Sequence, residues 1–228
     1  MNSKITCRNL SVAFSGENSR TRSVLDNINV TFPAGKMNII TGPIGAGKST
    51  LLHTMAGLTR PTSGEVVVND QAVSRWSGAH RDQWRRQAGI IFQHCHLLHE
   101  LTVLENIMLP LIPLGHTVSH CRSQSIAALK QVALFHHAGR LANSLSGGER
   151  QKTAIARALV TQPHFIFADE PTAHMDAENS RQMMELLYHC TGRNAVVIVA
   201  THESILNRLP GPALCYRLEN GALNHLTD

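Results

Sequence analysis

The sequence predicts an α/β fold: a mainly parallel sheet flanked by helices, with antiparallel β structure near the N-terminus and a helical insertion mid-chain. Three observations carry this expectation. Apolar runs at 89–92, 164–168 and 195–200 are mostly continuous rather than alternating, as in strands buried on both faces of a parallel sheet. Helical periodicity alternates with such runs at both ends of the chain, the order from which βαβ units are built. The segment "GPIGAGKST" (42–50) lies between a short apolar strand and a helix, the setting of a phosphate-binding loop.

In chain order, short strands are expected near 4–12, 24–32, 36–40 and 65–68, ahead of the three apolar runs. Helices are expected at 48–57, 102–109, 120–135, 147–160 and 177–190, which makes the segment around 94–160 mainly helical. With 228 residues, 43% of them hydrophobic, the chain can bury one sizeable core, and no repeat, low-complexity tract or long linker divides it.

Composition narrows the function classes. The longest apolar stretches, 195–200 and 107–114, fall far short of the roughly 20 residues a membrane helix requires, and the second carries two prolines. The first ten residues hold no apolar signal core or small-residue cleavage site, so the expected location is the cytoplasm. Five cysteines, at 7, 95, 121, 190 and 215, form no C-x-x-C pair and suit a reducing compartment. A net charge of +5 would suit nucleic acid, an anionic membrane surface or a phosphate ligand, but the cations are scattered, with no block longer than Arg85–Arg86. The histidine-rich "HCHLLH" (94–99) follows a predicted strand and lacks the spacing of a tetrahedral metal site.

The glycines of "GPIGAGKST" explain its expected chemistry. Gly42, Gly45 and Gly47 let the backbone turn tightly, so that successive amides and the following helix N-terminus face phosphate oxygens. The candidate cradle is Gly42, Pro43, Ile44, Gly45, Ala46, Gly47, Lys48, Ser49 and Thr50, with Lys48 on the β and γ phosphates and the Ser49 hydroxyl on Mg²⁺. A glycine-rich turn with a solvated lysine is the competing reading, and the flanking strand and helix weigh against it.

"FIFADEPTAHMD" (165–176) places two acids at the end of a buried run. In P-loop nucleotide hydrolases an Asp at the end of a neighbouring strand holds Mg²⁺ through its water shell, and Asp169 fills that place. Glu170 can face an attacking water, and a carboxylate beside the metal is expected to stay ionised, as a base must be. Alternatively the two acids cap the next helix.

"LSGGERQ" (145–151) offers a different anion site. Ser146 and Glu149 have the spacing of a capping box, and Gly147 and Gly148 leave the first helical amides bare. Such a helix start suits an anion such as a γ-phosphate, although by itself it is an ordinary cap.

Together these segments resemble the ATP-binding-cassette (ABC) ATPases over nearly the whole chain. The set comprises the Walker A motif at 42–49, Gln93 after "GIIF", the signature "LSGGERQ", the Walker B strand ending in Asp169 and Glu170, and "ATHES" with His202, in the family's order and spacing. The resemblance implies one ABC ATPase domain over 1–228: a P-loop NTPase core (about 1–93 and 161–228) with an N-terminal antiparallel β subdomain, and an inserted α-helical signature subdomain (about 94–160).

The resemblance also implies roles. ATP and Mg²⁺ are the cofactors, and Glu170, His202 and Lys48 are the catalytic residues. Phe14 stands where the family commonly stacks an aromatic on adenine; on physical grounds alone it reads as a core residue of its strand. Gln93 would reach Mg²⁺ or the attacking water, and His202 would contact the γ-phosphate and orient Glu170. Ser146, Gly147 and Gly148 would bind the γ-phosphate of an ATP held by a second copy, in a head-to-tail two-fold dimer. Asp176 would face that copy's cradle.

The implied partner beyond the second copy is an integral membrane permease with few spans, which holds the chain at the cytoplasmic face of the inner membrane. No nucleic acid is expected. The stretch 94–111 resembles the branch serving lipoprotein release, macrolide export and divisome mechanotransmission, most closely lipoprotein release. Leu97, Leu98, Leu101 and Val103 are either its docking surface or local core. His174 and Met175 depart from the branch's usual residues before Asp176, as Ile44 and Ala46 do from the usual serines of the cradle. An ABC ATPase acting on nucleic acid or ribosomes is the alternative, but the coiled coils, zinc modules or second cassette usual in those proteins do not occur here. An ordinary P-loop kinase would leave the signature without a purpose.

Overall fold

The computed structural model describes residues 3–15, 21–75, 77–173 and 175–226. The strands are β1 (Lys4–Ser15), β2 (Thr21–Pro33), β3 (Met37–Thr41), β4 (Ser63–Val68), β5 (Gln71–Ala72), β6 (Ala88–Ile91), β7 (Phe165–Asp169), β8 (Val196–Ala200), β9 (Ala213–Glu219) and β10 (Ala222–Leu226). The helices are α1 (Lys48–Met55), α2 (Gly78–Gln87), α3 (Val103–Met108), α4 (Val118–Gln131), α5 (Gly147–Leu159) and α6 (Ala177–Thr191).

Two sheets form the frame. β2, β1, β4 and β5 make an antiparallel sheet in that order. The second sheet runs β10, β9, β3, β8, β7, β6; its strands are parallel except for the β9–β10 hairpin. Every residue of β3, β7 and β8 is buried, which is why their sequences read as continuous apolar runs.

Alternate residues of these strands supply two cores, because strand side chains alternate between faces. Phe165, Phe167, Val196, Ile198 and Ile40 join Leu51, Leu52 and Met55 of α1 and the inner face of the antiparallel sheet, including Ile5, Leu25 and Phe32. Ile166, Val197, Val199 and Ile39 face the other way, onto a core with Ile107, Leu129, Ile155 and Leu187 from α3, α4, α5 and α6. Within this second layer α3, α4 and α5 pack on one another.

The observed strands and helices match the sequence expectations for seven strands and five helices to within a few residues. Three strands and one helix were not expected. α2 is rich in charge and, among its residues of described burial, Trp84 alone is deeply buried, so it has almost no apolar periodicity to detect. That indole packs edge-on to Phe165, with ring centroids 4.8 Å apart, and donates to the Met55 carbonyl at 3.2 Å. The β9–β10 hairpin turns at Asn220 and Gly221, whose φ values of +51° and +79° are those of a type I′ turn. Asn-Gly between two strand-like runs is a sequence signal that could have located it.

Candidate functional site

Three strands bring their carboxyl ends to one edge of the main sheet, where open α/β sheets bind ligands. β3 leads into loop 42–47, β7 ends on Asp169, and β8 runs into Thr201 and His202.

Loop 42–47 is clamped between the two sheets. Gly42, Gly45 and Gly47 have φ of +145°, +78° and +102°. Contact as well as conformation demands glycine at two of them. A Cβ on Gly42 would lie 2.1 Å from the Leu218 carbonyl oxygen of β9, and one on Gly47 would lie 2.8 Å from Val24 Cγ1 of β2. Gly47 caps α1 without any side-chain acceptor, so the first amides of that helix remain for an external anion. Ser49 and Thr50 sit in its first turn, half-buried. The Lys48 ammonium is buried and donates to the carbonyls of Gly42 (2.7 Å) and Pro43 (3.1 Å), which holds it over the loop. Pro43, Ile44, Gly45 and Ala46 line a cavity with Arg22, Ser23, Val24, Asn220 and Gly221. Ile44 is 92% exposed, so the loop tip presents an apolar side chain where the resemblance expects serine.

Of the two acids, Glu170 lies within electrostatic reach of this lysine and of Asp169. Asp169 is buried at the end of β7. Glu170 follows with a left-handed φ of +45°, a conformation costing a non-glycine residue on the order of 1–3 kcal/mol. Its amide donates to the Ala200 carbonyl at 2.9 Å and its carbonyl accepts from Ala173 at 3.1 Å. His202 Nε2, on an exposed side chain, stands 3.4 Å from Glu170 Oε2. Burial pushes the Glu170 carboxyl above the usual carboxylate range; His202 and Lys48 oppose this, Asp169 adds to it, and the Thr201 hydroxyl lowers it again. Glu170 therefore has raised proton affinity, which improves a base.

The structure thus brings together Lys48, Asp169, Glu170 and His202, with Ser49 on the adjoining helix start. Thr201 joins them without any signal in its residue type. Phe14 is 47% exposed on β1, paired across the strand with Arg22, and so is not the core residue of the alternative reading. The acids do not cap a following helix: α6 begins at Asp176, whose carboxylate accepts from the Asn179 amide (2.8 Å) and side chain (2.6 Å) and is held below its usual range mainly by that amide. His174 lies outside the described residues. Met175 packs half-buried against the larger core.

The second anion candidate is elsewhere on the molecule. Ser146 caps α5, and both hydrogen bonds of the capping box with Glu149 are present. Gly147 lines a separate cleft with Gln93, His94, Cys95, His96, Leu97, His99 and Arg150. Arg157 fixes the loop after Gln93 by donating to the carbonyls of Cys95 and His96, each at 2.7 Å. Among the described residues no three His, Cys, Asp or Glu side chains converge as a metal-ligand set. Leu97 and Val103 are core, Leu101 is half-buried and Leu98 is exposed, so local packing explains most of that apolar stretch.

An Mg²⁺ ion suits the donors at the sheet edge. Ser49 offers a hydroxyl and Asp169 a carboxylate, a sparse all-oxygen set of the kind used by a cation that keeps most of its water and binds substrate phosphates.

Comparison with known proteins agrees with this geometry. The ABC transporter family model matches residues 25–173. Over 222 residues, 96% of this chain and 96% of the relative, the chain is 38% identical to the lipoprotein-releasing system ATP-binding protein LolD of Saccharophagus degradans. It is 40% identical over 187 residues, 81% of this chain and 77% of the relative, to the protein of the same name from Xanthomonas axonopodis pv. citri. Its fold resembles the dimeric structure of MJ0796, a bacterial ABC transporter cassette, with TM-score 0.90 and 30% identity over 98% of this chain and 99% of that one. The same cassette in a post-hydrolysis state bound to ADP and Pi gives TM-score 0.90 and 29% identity, with the same coverage. No helix among the described residues is long and apolar enough to cross a membrane. With a family model over most of its length and one relative matched almost end to end, the chain belongs to the ABC transporter family, on its ATP-binding side.

Proposed function

We propose that this ATP-binding and ATP-hydrolysing subunit works as one half of a head-to-tail dimer that drives a separate membrane permease in lipoprotein release. The observation that carries the proposal is the convergence on Glu170: a buried carboxylate of raised proton affinity, in a strained backbone, with Lys48, Asp169 and His202 acting on it. The near end-to-end match to a relative named for lipoprotein release supports the choice of task.

ATP lies with its phosphates along Gly42 to Thr50 and its base toward Phe14. Lys48 leaves the carbonyls of Gly42 and Pro43 for the β and γ phosphates. Ser49 and Asp169 would hold Mg²⁺, with Gln93 on its own loop as a further donor, and the ion would supply charge neutralisation on the phosphates. Glu170 takes a proton from the attacking water as the water oxygen bonds to the γ-phosphorus and the bond to the ADP oxygen breaks. His202 keeps Glu170 turned to that water. Ser146, Gly147 and Gly148 receive the γ-phosphate of the other copy's ATP, and Asp176 faces the other copy's cradle. The mutual packing of α3, α4 and α5 supports a helical subdomain at about 94–160 between core segments 1–93 and 161–228. Through the permease, which has few spans, the dimer sits at the cytoplasmic face of the inner membrane.

Phosphate release by the purified chain with MgATP tests the reaction. The parent is expected to turn over and Glu170→Gln to be inactive. Affinity purification from detergent-solubilised membranes tests the partner: an integral membrane protein of few spans supports the reading, and ribosomes or DNA alone contradict it.

A further inference from the structure

Glu149 uses its two oxygens differently. Oε2 accepts the Ser146 amide at 2.7 Å, while the Ser146 hydroxyl accepts the Glu149 amide at 3.4 Å. Oε1 lies 3.1 Å from His137 Nδ1 and 3.6 Å from Arg140 Nη1, and those two nitrogens are 3.1 Å apart. Arg140 is itself firmly placed. Its amide donates to the His137 carbonyl and its carbonyl accepts from Val103, both at 2.9 Å, and Nη2 donates to the Ser144 carbonyl at 2.6 Å. One arginine thereby ties the capping carboxylate to the chain immediately before the signature serine.

This arrangement answers an electrostatic conflict. A carboxylate in the first turn stabilises a helix, but it also repels an anion approaching the same bare amides. Glu149 is held below the usual carboxylate range, first by the Ser146 amide and further by His137 and Arg140, so its negative charge is present at neutral pH. A guanidinium 3.6 Å from Oε1 offsets part of that charge, while the Ser146 amide holds Oε2.

We propose that Arg140, assisted by His137, is a positioning residue of the signature site: it neutralises and fixes Glu149 so that the Ser146 end of α5 can receive the triphosphate of a second copy. The inference rests on the proposed reading of Ser146 to Gly148 as the phosphate site for that copy.

The test measures ATP hydrolysis by the full chain against protein concentration, and ATP binding to the dilute monomer, in four variants beside the parent. Arg140→Ala is expected to lose hydrolysis roughly fivefold, the upper end for one surface ion pair, with monomer binding unchanged. Arg140→Lys keeps most of the activity. Adding Glu149→Gln to Arg140→Ala restores activity to within about twofold of the parent, because glutamine still accepts the Ser146 amide but carries no charge. A contact serving only to hold the fold would not be rescued in this way. Parent-level hydrolysis in Arg140→Ala, or a loss that Glu149→Gln leaves uncorrected, overturns the proposal. Ser146→Arg, the fourth variant, separates this inference from its foundation. If Ser146→Arg hydrolyses normally, the phosphate site itself is wrong; if it is inactive while Arg140→Ala is normal, only the role of Arg140 falls.

Discussion

Glu170 concentrates the chemistry in one side chain, and its environment makes two predictions with opposite pH senses. Catalysis needs the ionised form, and burial, the largest influence, sets the carboxyl above the usual range. Hydrolysis should therefore fall as pH drops through that raised value, and a rate profile flat to the ordinary carboxylate range would contradict the assignment. Stability runs the other way. A raised folded-state pKa contributes stability below the unfolded value that is lost as pH rises through the folded one. Glu170→Gln, which cannot ionise, should therefore be at least as resistant to thermal unfolding at neutral pH as the parent, while losing about 10²- to 10⁴-fold in turnover. Phosphate chemistry made this centre legible in the sequence, since a lysine, a hydroxyl and two acids are needed at fixed distances from glycine turns and strand ends. Thr201 was not legible, because a threonine after a strand carries no such signal; only the fold brings its hydroxyl to Glu170.

Among the elements, the cradle depends on a neighbour that sequence reading overlooked. β9 lies against Gly42, and the β9–β10 turn is fastened to β2 by the Asp26 amide donating to the Gly221 carbonyl at 2.9 Å. Gly42→Ala should therefore abolish ATP binding and cost more in denaturant unfolding than the roughly 1–3 kcal/mol of its backbone angle alone, because the Leu218 carbonyl must also give way. Gly45→Ala meets nothing within 4 Å and should cost only the left-handed backbone, about 1–2 kcal/mol. Equal losses in the two variants would show that β9 does not brace the loop. The parallel strands were readable because burial on both faces leaves no polar alternation to confuse them. α2 was hidden by its charge, with Trp84 as its main anchor, and the hairpin by the exposure of β10, which leaves its Asn-Gly turn as the clearer signal.

On the scale of the whole molecule, one chain keeps its two anion candidates in separate cavities, the cradle beside Asn220 and the signature beside Gln93. That separation supports the joining of one copy's cradle to the other copy's signature, an arrangement a single sequence could suggest only through its resemblance to a family. Turnover by the isolated chain should accordingly rise more steeply than linearly with protein concentration in the dilute range, where dimers are scarce. Strict proportionality would indicate that each chain works alone. Most direct is the molar mass of Glu170→Gln in solution, by light scattering, with and without ATP. The account predicts twice the 25.0 kDa chain mass with ATP, a single chain mass without it, and a single chain mass with ATP once Ser146→Arg is added. A monomer at saturating ATP, or a dimer indifferent to both ATP and Ser146→Arg, would contradict it.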